Sequence, residues 1–300
     1  MEKAFNKLII GTERKNVLIF DGEKNRVIDA SYPLIASDSD DKVYIYSSRG
    51  ALYDLEADKQ IEDNKIKNMN FMEVTGNVFD KRIHLGCDNE LLTLDRKFKV
   101  YREEKLDSEI TGITKIDNEI LVFLKDGKAR LYSGTTPVEL KVDDKIRKVF
   151  GKDGDIYILG NQGVYEFNAD TGFKSIIRTD GPQIITGITK TDYGTIMTTP
   201  GSIHNYKEGI FEDIFISFAT TGEGIRFVDS RDNHVCFGLE NCRFYMSDAK
   251  DLTAHMYTHD KFRMSKGLDE FPETFKKIFS AKKAIGAYTT EKLYYSAKII

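Results

Sequence analysis

Cysteine and histidine are scarce in this chain, and their scarcity removes several classes of site. The 300 residues include three cysteines, Cys87, Cys236 and Cys242, without metal-ligand spacing and without the density of a disulfide framework. We therefore expect reduced thiols in a cytosol-like compartment. Among five histidines, only His255 and His259 have i, i+4 spacing, and they fall where a predicted strand enters a loop. The sequence predicts no metal site.

Long apolar runs and a large charge excess are also missing. No stretch approaches the ~18 apolar residues of a membrane span, and the N-terminal residues lack a long apolar core, so we expect a soluble, cytoplasmic chain that contacts no membrane. The net charge of −4 comes from 44 basic and 48 acidic residues, which provides no global attraction for phosphate backbones. An apolar content of 40% over 300 residues is enough for a substantial core.

The common catalytic signatures are absent. The chain contains no Gly-x-x-x-x-Gly-Lys-[Ser/Thr], Gly-x-Ser-x-Gly, His-Glu-x-x-His or Cys-x-x-Cys. His84, His204 and His234 lie in or beside predicted strands of different repeats, where we expect structural or surface histidines. We assign no catalytic residue, no cofactor and no metal ligand.

A hairpin pattern is what the sequence does contain, most clearly over residues 153–172. Residues 156–159 and 164–167 are β-branched or aromatic, and Gly, Asn and Asp bound both runs. Such runs favour strands, and the bounding residues favour tight turns. This segment therefore predicts two strands joined by a short turn.

The hairpin recurs at intervals of 40, 37, 36, 40 and 39 residues. Its first apolar positions are Val43, Ile83, Ile120, Ile156, Ile196 and Val235. An aspartate precedes each by three residues, or by four in one copy: Asp40, Asp80, Asp117, Asp153, Asp192 and Asp232. Because Asp can bond nearby backbone N–H groups, we interpret these residues as turn formers that hold no calcium.

Each repeat contains four predicted strands, A to D. The sequence Ile-Thr-Gly-Ile-Thr-Lys at residues 110–115 returns at 185–190, two repeats later. Strands of the fifth repeat are predicted at residues 146–150, 156–159, 164–167 and 174–177. Four short antiparallel strands every ~40 residues are typical of a β-propeller blade. We predict an all-β, single-domain propeller over residues 1–300.

The chain ends supply strands for a further blade. Residues 8–12, 17–20 and 26–30 at the N-terminus, and 284–289 and 293–297 at the C-terminus, have strand patterns. Joined in one sheet, they would close a ring of seven blades, although five strands for four places leave eight blades open. Residues 259–283 interrupt the repeat, and Phe271, Phe275, Ile278 and Phe279 have helical spacing there. We predict a helical insertion that packs its phenylalanines on the propeller or docks a partner.

At residues 153–172 the chain resembles the repeats of two-component-regulator sensor propellers and, more loosely, of quinoprotein-like and YVTN propellers. The chain has no Trp, so the Trp-Asp signature of WD40 repeats is absent. The resemblance implies a fold and a capacity for binding, because these families share no single reaction.

Alternating strand direction places all B–C turns and D–A connections at one end of the blades, where we expect the interaction surface. Mixed charge with Asn, Gln and Tyr suits protein recognition there, and equally suits solvated turns. The candidates, including two from the predicted helix, are Arg14, Tyr32, Arg49, Asn89, Lys125, Lys128, Gln162, Glu240, Phe275 and Phe279.

These observations favour a non-catalytic protein-interaction or scaffold module whose partner is another protein. The alternative is a propeller enzyme, lyase-like or hydrolase-like and similar to the streptogramin lyases, with Glu73, Asp229 and His234 as candidates at the channel mouth. Nucleic-acid binding would require basic residues to converge on one face, and Arg49, Lys125, Lys128 and Arg147 give a weak indication of that.

Overall fold

A computed structural model describes residues 8–11, 16–20, 25–39, 42–55, 59–77, 79–133, 136–152, 155–178, 184–215, 225–231, 234–239, 244–249 and 296–299. The chain divides into two compact units. Unit 1 comprises Met1–Asp29 and Ile184–Ile300, and unit 2 comprises Ala30–Gln183.

The described residues form 27 strands and a 3-10 helix, Asn64–Ile66. In chain order the strands are β1 Leu8–Gly11, β2 Asn16–Phe20, β3 Asn25–Asp29, β4 Leu34–Ser37, β5 Val43–Ser47, β6 Ala51–Asp54, β7 Lys59–Glu62, β8 Phe71–Thr75, β9 Arg82–Cys87, β10 Glu90–Leu94, β11 Val100–Lys105, β12 Ile110–Ile116, β13 Glu119–Leu124, β14 Lys128–Tyr132, β15 Val138–Lys141, β16 Ile146–Lys152, β17 Asp155–Gly160, β18 Gly163–Asn168, β19 Gly172–Arg178, β20 Gly187–Thr191, β21 Gly194–Thr198, β22 Ile203–Lys207, β23 Ile210–Phe215, β24 Ile225–Arg231, β25 His234–Leu239, β26 Phe244–Asp248 and β27 Ser296–Ile299.

These strands form antiparallel sheets, which we number in chain order. Unit 2 contains sheet 2 (β4–β7), sheet 3 (β8–β11), sheet 4 (β12–β15) and sheet 5 (β16–β19), each with four strands in sequence order. Unit 1 contains sheet 6 (β20–β23), the three described strands of sheet 7 (β24–β26), and sheet 1 in the order β27-β1-β2-β3. In sheet 1, Leu8 pairs with Ile299 and Gly11 with Ser296.

Sheet 5 shows why these sequences form hairpins. Its strands β16 to β19 coincide with the four predicted there, which confirms that part of the prediction. The side chains at 156–159 are buried, and Gly172 opens β19 at a φ of +76°, a left-handed conformation that costs glycine little. Apolar side chains thus drive burial while glycine permits the turn.

The repeated aspartates act in more than one way. Asp80 accepts a hydrogen bond from the Asn77 N–H at 2.9 Å, as a turn former does. Asp117 instead adopts a left-handed φ of +53°, and its side chain bonds no other residue of the described ranges. In sheet 2 the bonding residue is Asp38, whose carboxylate accepts from the Lys42 N–H at 3.0 Å. Asp40, Asp153 and Asp232 lie outside the described residues.

The core of unit 2 lies between successive sheets. Tyr46, Leu52, Val74 and Leu85 belong to the cluster that joins sheets 2 and 3. Between sheets 4 and 5, the ring centroids of Phe123 and Phe167 are 5.3 Å apart in an edge-to-face arrangement. Further clusters join sheet 3 to sheet 4 and, within unit 1, sheet 6 to sheet 7. Full burial of such side chains stabilises the fold by roughly 1.5–3 kcal/mol each.

A buried polar cluster also joins sheets 2 and 3, and we call it the Lys81 cluster. The Lys81 ammonium donates to the Tyr44 hydroxyl at 2.7 Å, and that hydroxyl donates to Asp38 at 3.0 Å. Asp54 lies 3.6 Å from the same ammonium. Burial lowers the pKa of Lys81, and the nearby carboxylates oppose that shift. Every member has a partner, as buried polar groups require, so the cluster fixes the two sheets together.

The predicted helical insertion at 259–283 lies outside the described residues. Within the described ranges, no helix is long and apolar enough to cross a membrane.

Candidate functional site

In unit 2 the B–C turns and the D–A connections are hydrogen-bonded to each other at one end of the strands, which we call the B–C end. The Asn68 N–H donates to Ser48 O at 3.0 Å, and the Leu106 N–H donates to Asn89 O at 2.7 Å. Similar bonds join Val142 to Gly127 and Asn161 to Lys145. Because these segments hold each other, the side chains they carry occupy defined positions.

Tyr32 and Arg49 lie on two such segments. The Ser48 N–H donates to Ser31 O at 2.7 Å. Tyr32 and Arg49 therefore each lie one residue away from this bond. Tyr32 is 59% exposed at a left-handed φ of +44°, and Arg49 is exposed in the turn between β5 and β6. An exposed tyrosine beside an exposed arginine has the composition of a binding hot spot.

Two lysines extend this surface. Lys65 and Lys67 are exposed in the connection that follows sheet 2, and a Cβ at Gly50 would lie 2.9 Å from the Lys67 stem. Tyr46 anchors the connection, since its hydroxyl donates to Ile66 O and accepts from the Met69 N–H, both at 2.7 Å. Burial raises the pKa of Tyr46 to about 12. We call Tyr32, Arg49, Lys65 and Lys67 the Tyr32–Arg49 patch.

The cations of the Tyr32–Arg49 patch have no ion pair with any residue that the structure describes. The nearest carboxylate in sequence, Asp63, accepts a hydrogen bond from the Lys65 backbone N–H at 2.9 Å. Within the described part of the chain, no ion pair neutralises the positive charge of the patch, and its aromatic ring is exposed.

The candidate lysines of sheet 4, in contrast, are paired with carboxylates. Lys125 is paired with Glu109 at 2.6 Å. Lys128 lies 3.3 Å from Glu139, and Asp107 and Asp126 lie within 3.9 Å of it. The hydrogen bond and charge of Glu139 raise the pKa of Lys128. Both lysines are thus neutralised within the chain.

Arg130 completes the carboxylate-rich group around Lys128, which we call the sheet 4 ion-pair cluster. Its guanidinium lies 3.1 Å from Glu139, is hydrogen-bonded to Asp107, and lies 3.9 Å from Glu104. Bidentate and multiple pairing of this kind fixes the guanidinium in place. The cluster is Asp107, Asp126, Lys128, Arg130 and Glu139.

Two further candidates lie in structural turns. The Asn89 amide donates to Leu106 O at 3.0 Å and is half-buried. Gln162 is exposed, in a turn held by the buried Asp144 carboxylate, which accepts from the Gln162 N–H at 2.9 Å and the Asn161 N–H at 3.1 Å. Gly160 leaves room for that carboxylate, because a Cβ there would lie 2.0 Å from it. Arg14, Glu240, Phe275 and Phe279 lie outside the described residues.

Glu73, one of the residues named for the enzyme alternative, lies opposite a buried histidine. The half-buried Glu73 pairs across β8 and β9 with His84. His84 is held by the Thr75 hydroxyl at 2.9 Å and the Thr93 hydroxyl at 3.1 Å, and burial lowers its pKa to about 3. His84 is therefore a neutral structural histidine, as predicted. Across the described ranges, no group of three or more His, Cys, Asp or Glu residues could hold a metal ion.

The sequence analysis missed a second exposed surface, at the opposite strand ends of sheet 3. Phe79 is 78% exposed and Tyr101 is 64% exposed, although both are large aromatic residues. The available signal was the position of Phe79 itself, in the turn between strands A and B, where polar residues are usual.

No protein-family model matches the chain, and no curated protein matches its sequence. Solved structures are similar in fold. BBS1N, solved in complex with ARL6DN, has a TM-score of 0.58 at 12% identity, over 79% of this chain and 85% of that one. The WD40 domain of Neurospora crassa Pan2 has a TM-score of 0.57 at 12% identity, over 77% of this chain and 82% of that one.

BamB from Moraxella catarrhalis has a TM-score of 0.54 at 11% identity, over 81% of this chain and 82% of that one. At such identities the likeness concerns the fold alone. Four-stranded antiparallel sheets in sequence order, together with these neighbours, identify the chain as a β-propeller repeat protein.

Proposed function

We propose that the chain is a non-catalytic protein-interaction module, a scaffold that uses the B–C end of its sheets to bind another protein. The observation that carries the proposal is the Tyr32–Arg49 patch, where an exposed aromatic ring and three cations lie on hydrogen-bonded segments without carboxylate partners in the described residues. Tyrosine and arginine are the residues that most often dominate binding energy.

The geometry supports recognition because the patch is held in place before a partner arrives. Tyr46 fixes the Lys65–Lys67 connection, and Ser31 fixes the turn that carries Arg49. A surface that is ordered in advance loses less conformational entropy on binding. The positive charge of the patch, in a chain of net charge −4, favours a partner with an acidic surface.

The neighbours in fold are compatible with this role. BBS1N was solved in complex with ARL6DN, and another neighbour, with a TM-score of 0.57, comes from a mitotic checkpoint complex. We further propose that sheets 1 to 7 are the blades of one seven-bladed domain over residues 1–300. The pairing of β27 with β1, at the edge of sheet 1, supports this proposal. We propose a cytoplasmic location, which suits the free thiol of Cys87.

The experiment compares partners captured by the intact chain and by the double variant Tyr32→Ala, Arg49→Ala, with quantitative mass spectrometry. The matched control is Val138→Ala, which changes another exposed apolar side chain, in sheet 4. We expect at least one protein to be reduced about tenfold or more by the double variant and unchanged by the control. Its affinity for the purified chain should fall by the same factor. Equal capture by all three chains would refute the proposed surface.

A further inference from the structure

The A–B and C–D turns of sheet 3 carry aromatic residues that the fold leaves in solvent. We call these strand ends, opposite to the B–C end, the A–B end. Phe79 is in the A–B turn, and Tyr101 is the second residue of the last strand, just after the C–D turn. Leaving two large rings exposed forgoes burial energy that each would otherwise contribute. Exposed aromatic residues grouped in this way are typical of interaction sites.

Two arginines surround these rings and tie the turns together. The Arg82 guanidinium lies over the Tyr101 ring at 4.4 Å and donates to the backbone carbonyls of Asp80 and Lys81 at 3.3 and 3.1 Å. Arg96 donates to Phe79 O at 3.4 Å. All of these acceptors are neutral, so the bonds orient the guanidinium groups without cancelling their charge.

The surroundings add positive charge. Lys97 and Lys99 are exposed in the C–D turn. These two lysines, like Arg82 and Arg96, form no ion pair with a residue that the structure describes. Two carboxylates are present, and both serve the turns. Asp80 accepts from the Asn77 N–H, while Asp95 accepts from the N–H groups of Lys97 and Lys99 at 2.8 and 2.9 Å. Four cations therefore face two carboxylates that are already hydrogen-bonded.

We propose that this end of sheet 3 binds an acidic peptide segment of a partner protein. Carboxylates of the segment pair with the free N–H groups of Arg82 and Arg96, and an apolar side chain of the segment packs on Phe79 and Tyr101. We call Phe79, Arg82, Arg96 and Tyr101 the sheet 3 patch. It lies at the strand ends opposite to the Tyr32–Arg49 patch, so it constitutes a second binding surface within unit 2.

A peptide suits the sheet 3 patch better than a nucleic acid does. Arg82 already covers one face of the Tyr101 ring, which reduces the area on which a base could stack. Arginine forks match carboxylates in geometry, and aromatic rings with arginine form the centres of protein interfaces.

The test selects peptides from a random phage-displayed library on the full chain, with counter-selection on the double variant Phe79→Ala, Arg96→Glu. Arg96→Glu removes one hydrogen bond to a backbone carbonyl and reverses the charge. The most enriched peptide and a single-stranded oligothymidylate are then titrated by fluorescence anisotropy. Ile210→Ala is the matched control, because it removes a similarly exposed apolar side chain in sheet 6, outside both patches.

We expect peptides rich in Asp and Glu with at least one apolar residue. Their affinity should fall about tenfold or more in Phe79→Ala and in Arg96→Glu, weaken with added salt, and remain unchanged in Ile210→Ala. Thermal melting of each variant verifies that the fold is retained. The proposal is overturned if the selected peptides are not acidic, if binding is equal in the folded variants, or if the oligothymidylate binds this patch more tightly than the peptide.

Discussion

Sheet 3 and sheet 4 both carry groups of cationic side chains, yet the surroundings of these groups differ. In the sheet 4 ion-pair cluster, Lys128 and Arg130 share the carboxylates of Asp107 and Glu139. In the sheet 3 patch, Arg82 and Arg96 are bonded to backbone carbonyls. In sheet 4 the positive charges are paired with carboxylates of the chain, whereas in the sheet 3 patch they remain available to a partner.

The number of basic residues is therefore a poor guide to a recognition surface. Lys125 and Lys128 were candidates because they lie in an exposed turn, but their compensating carboxylates come from other segments, Glu109 before β12 and Glu139 in β15. What distinguishes a binding surface is whether the fold supplies counter-charges and whether aromatic rings remain exposed. Both conditions point to sheet 3 and to the Tyr32–Arg49 patch.

Lys81 is the buried cation beside the sheet 3 patch. Replacing it tests whether its positive charge stabilises the fold or, like that of the exposed lysines, remains available to a partner. Lys81→Met removes the ammonium from the Lys81 cluster and leaves Asp54 and the Tyr44 hydroxyl without it. We expect the free energy of unfolding to fall by about 3 kcal/mol, because an uncompensated buried charge remains. Urea denaturation measures the loss. Lys97→Met, which removes an exposed lysine of the same sheet end, should change stability little; equal losses would contradict the distinction.

Acid sensitivity offers a second contrast, since sheet 3 holds a buried histidine and sheet 4 holds none. The unfolded chain protonates His84 near its ordinary pKa of ~6.5, whereas the folded chain resists protonation until about pH 3. Stability from this group is therefore complete above pH ~6.5 and is lost as the pH falls toward 3.

Between pH 7 and pH 5 the intact chain should lose about 2 kcal/mol more unfolding free energy than His84→Gln. Denaturation at both pH values measures the difference. Parallel pH profiles for the two chains would show that groups elsewhere govern acid sensitivity.

The smallest expected effect concerns the sheet 4 ion-pair cluster. Arg130→Met should lower the free energy of unfolding by about 1 kcal/mol at low salt and by less at high salt, because salt screens the exposed carboxylates of Asp107 and Glu139. Arg96→Met should leave stability nearly unchanged at either salt concentration, since Arg96 has no carboxylate partner in the described part of the chain. Denaturation at two ionic strengths compares them, and a salt-dependent loss for Arg96→Met would reverse the assignment.

The sequence predicted the local structure well because the determinants are local. Strands of sheet 5 follow from runs of Ile, Tyr and Val bounded by glycine and asparagine, and the period of the repeats separates the sheets. For Asp117 the predicted turn mechanism was wrong. This aspartate suits the turn because it adopts a left-handed backbone conformation, and not because its side chain bonds a backbone N–H group.

Contacts between sheets were beyond prediction for a physical reason. The Lys81 cluster unites residues of two repeats, and Lys115 donates to Ser37 O at 2.8 Å across sheet 3. The sequence near Lys81 or Lys115 does not indicate these partners, because the packing of the sheets determines which side chains come into contact. The availability of Arg49 and Arg96 follows from the same three-dimensional arrangement.

The pairing of β27 with β1 has a consequence for how a cell makes this chain. Leu8–Gly11 leaves the ribosome long before Ser296–Ile299, because residues 12–295 lie between the two strands. Until then the edge of β1 exposes unpaired N–H and C=O groups, which can pair with other nascent chains. Such a long separation along the chain also slows the final joining step. Synthesis of this protein therefore passes through a late period in which a chaperone able to cover a β-edge would raise the yield of native molecules.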